Sequence, residues 1–244
     1  MNERDYFNIT REQDGRINAN ERERYVSNAF PVLMRKVYVW MTLALAITGL
    51  AAWVVANNFM DLLMGNSIVM WVLIIAELGL VFGISGMIHK LSLTTATLLF
   101  VLFSIINGVT LSSIFLIYEI GTIAKVFFIT SGTFAAMAFF GYTTKRDLSF
   151  IGRILFMALI GIIIATLVNV FFTKSEGFDL IICYIGVLIF VGLTAWDSQK
   201  IKKMLSQAEQ ADETYQKLAL LGSLSLYLDF INLFLYLLRI FDRD

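Results

Sequence analysis

The sequence predicts an all-α integral membrane protein of seven transmembrane helices, with the last helix central in the bundle. Three observations carry that expectation. Seven strongly apolar blocks fill the chain, and each has about the length needed to cross a ~30 Å hydrocarbon layer as a helix. Of 244 residues, 58% are apolar and 16% charged, with a mean hydropathy of +0.76; a soluble domain carries roughly 25% charged residues to cover its surface. The last block also carries Ser225, Asp229, Asn232 and Tyr236 at spacings of four, three and four residues. That spacing lines them on one helical face, and a polar stripe on an otherwise apolar helix turns towards a bundle interior or an aqueous cavity.

In chain order, residues 1–30 form a polar cytoplasmic N-terminal segment, a mobile tail or a short surface helix. Its acids and bases nearly cancel, which makes it a poor arm for nucleic acid. Residues 31–244 form the transmembrane domain. The candidate spans are Val37–Ala56, Ile68–Ile88, Leu93–Tyr118, Gly121–Tyr142, Ile151–Phe172, Phe178–Trp196 and Leu218–Leu238. None shows the polar/apolar alternation of a barrel strand. The single proline, Pro31, lies ahead of the first block and leaves the rest free of helix breakers. Gly79, Gly83 and Gly86 in the second block permit close helix approach. The tryptophans Trp40, Trp53, Trp71 and Trp196 fall near block ends and suit an interfacial belt. The polar stretch Lys200–Lys217 is a helical extension or a surface loop.

Orientation follows from the basic residues. With the N-terminus inside, only Lys125, Lys174, Arg239 and Arg243 lie outside, and the other fifteen of nineteen Lys and Arg lie inside. The N-terminus is therefore expected to be cytoplasmic. The opening MNERDYFN lacks an apolar core followed by a small-residue cleavage site, so the first block is expected to serve for insertion. One cysteine, Cys183, and one histidine, His89, leave no intrachain disulfide and no conventional zinc site. Cys183 reads as a small buried hydrophobe. No phosphate-binding loop and no nucleotide fingerprint stands in a strand–helix unit. No cofactor, no enzymatic activity and no nucleic-acid partner is expected.

Function is sought in the embedded carboxylates Glu77, Asp197 and Asp229. An ionised side chain near the middle of a bilayer costs roughly 2.5–3.5 kcal/mol on insertion scales, so such residues mark ion or proton routes. Asp229 lies well inside its block. Asp197 lies at the inner end of the sixth, where it is equally readable as an interfacial charge paired to Lys200. If Asp197 and Asp229 approach, like charges oppose simultaneous ionisation and the pair shares a proton. Protonated, the pair bridges two helices. Deprotonated, it repels or recruits a cation such as Ca²⁺, which prefers oxygen ligands. Two acids with Asn232 and backbone carbonyls make a sparse, weak metal site. Glu77 is a second proton or cation station. His89 and Lys90 lie at the inner end of the second block, and Arg153 near the start of the fifth can snorkel or pair with an acid at the inner rim. Asn107 and Asn169 are embedded amides expected to bond across helices.

The segments AELGL (Ala76–Leu80), FGYTTKRDLS (Phe140–Ser149), LTAWDSQKIK (Leu193–Lys202) and LYLDFINLFLYLLRIF (Leu226–Phe241) occur on blocks in a set order. Taken together, the chain resembles the Bax inhibitor-1 family, from Arg35 to the C-terminus, in the form of a prokaryotic member. The resemblance implies a seven-helix fold with the final helix enclosed by the other six, and a pH-sensitive calcium leak. It also implies a pair of acids at Asp197 and Asp229, a further acid at Glu77, and an arginine latch at the inner end of the second helix. This sequence offers Ile88, His89 and Lys90 at that last position, so the latch is expected to be weaker, histidine-based or absent, with His89, Lys90 and Arg153 as its candidates. The first motif reads Asp197-Ser198-Gln199, which keeps a hydroxyl after the acid.

The expected function is thus a pH-gated passive calcium channel in the plasma membrane, the inner membrane if the cell has two. Calcium ions and protons are its small partners, and lipids and membrane proteins its larger ones. The alternatives are a proton-coupled calcium or cation antiporter, and a non-transporting scaffold or regulator of membrane proteins.

Overall fold

The computed structural model describes residues 3–60 and 67–241, with side chains from 29 to 60 and from 68 to 241. Among the described residues there is no β-strand, and seven helices are long and apolar enough to cross a membrane. They are α1 (Glu3–Asn58), α2 (Ser67–Met87), α3 (Leu93–Leu111), α4 (Ile120–Thr143), α5 (Ser149–Val168), α6 (Glu176–Leu205) and α7 (Glu213–Phe241). A short helical turn, Ile114–Ile117, continues α3.

Local chemistry starts and ends these helices. Ser92 caps α3, its Oγ accepting from the Thr95 N–H at 3.1 Å. Ser175 does the same for α6. Such caps satisfy amide donors that have no partner inside the helix. Glu176 and Asp179 in the first turn of α6, and Lys202 and Lys203 in its last, complement the helix dipole. Between α5 and α6 the chain widens into a π-helical turn, Asn169–Thr173, followed by left-handed Lys174 at φ 47°. Asn169 secures this turn from both ends of its amide: its Oδ1 accepts from the Ser175 N–H and its Nδ2 donates to the Ser175 carbonyl.

The helices differ sharply in burial. In the most apolar part of α7, 67% of residues are buried, against 6% in α2 and 11% in α5. α7 packs against α1, α3, α4 and α6, whereas α2 rests mainly on α3 and α5 mainly on α6. The larger core centres on α1, α3 and α7, with Leu33, Phe100, Phe103, Leu224 and Tyr227 fully enclosed. Phe100 and Phe103 present their edges to the Tyr227 ring at 6.0 and 5.5 Å, an arrangement aromatic quadrupoles favour.

Two expectations need correction. The close-approach glycines are not those of α2, because a methyl group at Gly79, Gly83 or Gly86 would meet nothing within 4 Å. They lie instead at Gly108, where α3 crosses the Thr48 carbonyl of α1, and at Gly141, where α4 crosses the Ala195 carbonyl of α6. Pro31, placed ahead of the first span by apolarity alone, lies inside α1, in a spanning segment that begins at Ala29.

Candidate functional site

The motif Asp197-Ser198-Gln199 sits where α6 crosses α4. The Ser198 hydroxyl donates to the Ala138 carbonyl of α4 at 2.8 Å. The Gln199 side chain clamps the turn between α4 and α5, accepting from the Leu148 N–H at 2.9 Å and donating to the Arg146 carbonyl at 2.8 Å. One turn later Lys202 donates to the Tyr142 carbonyl at 2.7 Å and stands over the Tyr142 ring. Gly141 makes the close crossing possible. The two residues after the acid therefore fix the rotation of α6 about its axis, which sets where Asp197 points.

Asp197 is half-buried and lies within electrostatic range of Asp229 on α7, and Lys200 is within range of both. Asp229 is buried, with 5% of its surface exposed. Among the described residues its Oδ2 is a buried polar atom without a hydrogen-bond partner. Of the rest of the stripe, Asn232 turns its amide back on its own helix, donating to the Leu228 carbonyl at 2.8 Å. Tyr236 packs its ring over Gly186 and beside Phe190.

Glu77 is treated quite differently. Its Oε2 accepts from Asn107 Nδ2 at 3.1 Å and its Oε1 from the Thr110 hydroxyl at 2.5 Å. Asn107 Oδ1 in turn accepts from the Tyr227 hydroxyl at 2.8 Å. The Thr48 hydroxyl lies 2.7 Å from that of Tyr227 and 2.9 Å from the Ser104 carbonyl. With Tyr227 donating to Asn107, Thr48 has one proton for two acceptors. A continuous polar chain thus links α2, α3, α7 and α1 through the apolar interior.

The remaining candidates lie at the rim. His89 and Lys90 are exposed in the turn after α2, and Arg153 is exposed on α5. It is Lys200, rather than these three, whose charge bears on both aspartates. Among the described residues, no three of His, Cys, Asp and Glu converge as metal ligands. Cys183 is buried.

Sequence reasoning missed Thr48, Thr110 and Tyr227. Thr48 is one of two threonines in an apolar run, with Thr42, and Tyr227 lies off the face of the Asp229 stripe. Only the separation of 179 residues that folding closes makes them partners. The clamping role of Gln199 had a signal, since a glutamine beside an embedded acid needs several hydrogen bonds.

Seven spanning helices with acids held between them define a multi-pass membrane protein. Residues 31–244 match the family described as Inhibitor of apoptosis-promoting Bax1, and the chain belongs to it, the Bax inhibitor-1 family. Among relatives, it is 53% identical over 213 residues to the Inner membrane protein YbhL of Escherichia coli strain K12, covering 86% of this chain and 91% of that protein. It is 45% identical over 221 residues to an uncharacterised protein of Borreliella burgdorferi, covering 90% and 94%. An uncharacterised protein of Rickettsia prowazekii, RP147, is 43% identical over 207 residues, covering 84% and 87%.

Proposed function

We propose that the protein is a passive calcium channel of the plasma membrane, gated by a proton that Asp197 and Asp229 share. The observation that carries this reading is the buried Asp229 Oδ2 without a hydrogen-bond partner, in the field of a second carboxylate. A buried ionised carboxylate is costly unless paired. Two such groups reduce that cost either by holding one proton between them or by admitting a cation. In acid the shared proton ties α6 to α7 and closes the passage. As pH rises the proton leaves, the carboxylates repel, and a divalent cation fits between them as transported cargo. Two carboxylates bind weakly enough to release it. Lys200 opposes cation entry and tempers the repulsion. By the name of its Escherichia coli relative, the inner membrane is the site of action in a cell with two membranes. The N-terminus is cytoplasmic by the distribution of Lys and Arg.

The test is calcium entry into liposomes carrying the purified chain, measured from acidic to neutral pH. Flux rises with pH in the parent and loses its pH response in Asp197→Asn and Asp229→Asn. Flux and pH response unchanged in both variants would overturn the assignment. The polar chain from Glu77 through Asn107 and Tyr227 to Thr48 favours a second reading, proton-coupled antiport, because hydrogen-bonded hydroxyls and amides can pass protons. An imposed proton gradient that drives calcium uphill would select that reading over the channel.

A further inference from the structure

A groove of about 690 Å³ opens on the membrane-facing surface between α5 and α6. Its apolar lining includes Phe150, Ile154 and Met157, and Arg153 and Lys200 contribute two cations to it. Trp196 makes part of the wall, seated against the backbone of α5 because Gly152 has no side chain there: a methyl group would collide with the indole. Lys200 Nζ lies over the Trp196 ring, 4.9 Å from its centroid. Phe150 and Met157 are 66% and 63% exposed, so in a bilayer they face acyl chains. By the distribution of basic residues, this groove opens to the cytoplasmic leaflet, whose surface is anionic.

We propose that the groove is a binding site for an anionic phospholipid, with its phosphate between Arg153 and Lys200 and an acyl chain along Phe150, Ile154 and Met157. The two parts of the surface select the two parts of one molecule. The paired cations fit a phosphate, and the apolar trough would gain nothing from a free inorganic anion. A zwitterionic headgroup would bring its own cation against Lys200. Asp197, three residues before Lys200 and within its field, offsets part of that charge. Arg153, whose planar guanidinium can bind phosphate oxygens in pairs, is therefore the stronger anchor.

The test uses Trp196 as reporter in a chain whose Trp40, Trp53 and Trp71 are replaced by Phe. The chain is placed in phosphatidylcholine vesicles containing either brominated phosphatidylglycerol or brominated phosphatidylcholine. Brominated phosphatidylglycerol should quench more strongly, by a local enrichment of about fivefold for each cation. Arg153→Gln should remove most of that preference, Lys200→Gln less, and Lys90→Gln none. Native mass spectrometry of the unmodified chain with the same two headgroups gives a readout independent of the tryptophan changes, and should show phosphatidylglycerol retained over phosphatidylcholine. Equal quenching by the two lipids, or a preference that survives the Arg153→Gln, Lys200→Gln double variant, would overturn the proposal. Displacement of the lipid by inorganic phosphate would overturn it too, assigning the cations to a free anion. None of these readouts involves calcium flux, so the lipid site stands or falls apart from the channel.

Discussion

Glu77 and Asp229 are both acids inside the apolar bundle, and their surroundings treat them in opposite ways. Glu77 sits on α2, the least buried of the seven helices, yet both its oxygens accept hydrogen bonds from α3. Asp229 sits on α7, the most buried, yet among the described residues one of its oxygens has no hydrogen-bond partner. A satisfied acid on a thinly packed helix works as a clip, holding α2 to α3 where little apolar contact does so. An unsatisfied acid in the best-packed helix carries a desolvation cost, which the proposed gate would turn to use. Hydrogen-bond satisfaction and depth of burial thus run in opposite directions at these two acids.

Replacing acids one at a time breaks or sharpens that contrast. The largest effect is expected at the aspartates. Asp229→Ala should lower liposome calcium flux about tenfold at neutral pH, the size of losing roughly 1.4 kcal/mol of ion stabilisation, and Asp197→Ala should behave alike. Glu77→Ala should act on stability first. It leaves the Asn107 amide without its acceptor, whereas the Thr110 hydroxyl keeps the Ile106 carbonyl at 3.2 Å. The cost is about 1–3 kcal/mol, read as a lower thermal midpoint in detergent. The pH response of any remaining flux should persist. If Glu77→Ala instead abolished the pH response at full stability, the roles of the two acids would be reversed. Tyr227→Phe should cost about 0.5–2 kcal/mol, the range for hydrogen bonds between membrane helices, with the ring packing on Phe100 and Phe103 retained.

The smallest effect is expected at Asp147, outside the spans. It pairs with Lys203 at 2.6 Å and accepts from Ser149, and these bonds, that to Lys203 first, pull its pKa down to about 2. A depressed carboxylate contributes its stability above its unfolded pKa of about 4 and loses it as pH falls through the folded value. The pair is solvent-exposed, so little stability is at stake. Asp147→Asn should leave the pH response of flux unchanged between weakly acidic and neutral pH. A changed response there would move the sensor out of the bundle.

How much of this was legible depended on what each residue needed to announce itself. Apolar runs located all seven spans, and the second, third, fourth and fifth came within two residues of their ends. The sixth and seventh came out short, because α6 continues to Leu205 and α7 begins at Glu213. Apolarity stops where lipid stops, whereas the helix continues through Lys200 to Lys203 with its charges in water. The aspartates were legible because a charge in an apolar block is conspicuous. The polar chain from Glu77 to Thr48 was not, since hydroxyls are cheap in a membrane helix when they bond to their own backbone, as the Ser104 and Thr130 hydroxyls do. Small residues mislead in a similar way: three glycines on α2 suggested a contact, while the crossings use Gly108 and Gly141. Which glycine matters is decided by the facing helix, and periodicity carries no information about that helix.

The shared proton is the claim on which the gating account rests, and infrared difference spectroscopy of the purified chain in lipid observes it directly. On raising the pH through the range that opens the channel, the account predicts loss of one protonated carboxyl C=O band. That band should be absent in both Asp197→Asn and Asp229→Asn and present in Glu77→Gln. A band that survives both aspartate substitutions, or that vanishes only with Glu77→Gln, would contradict it.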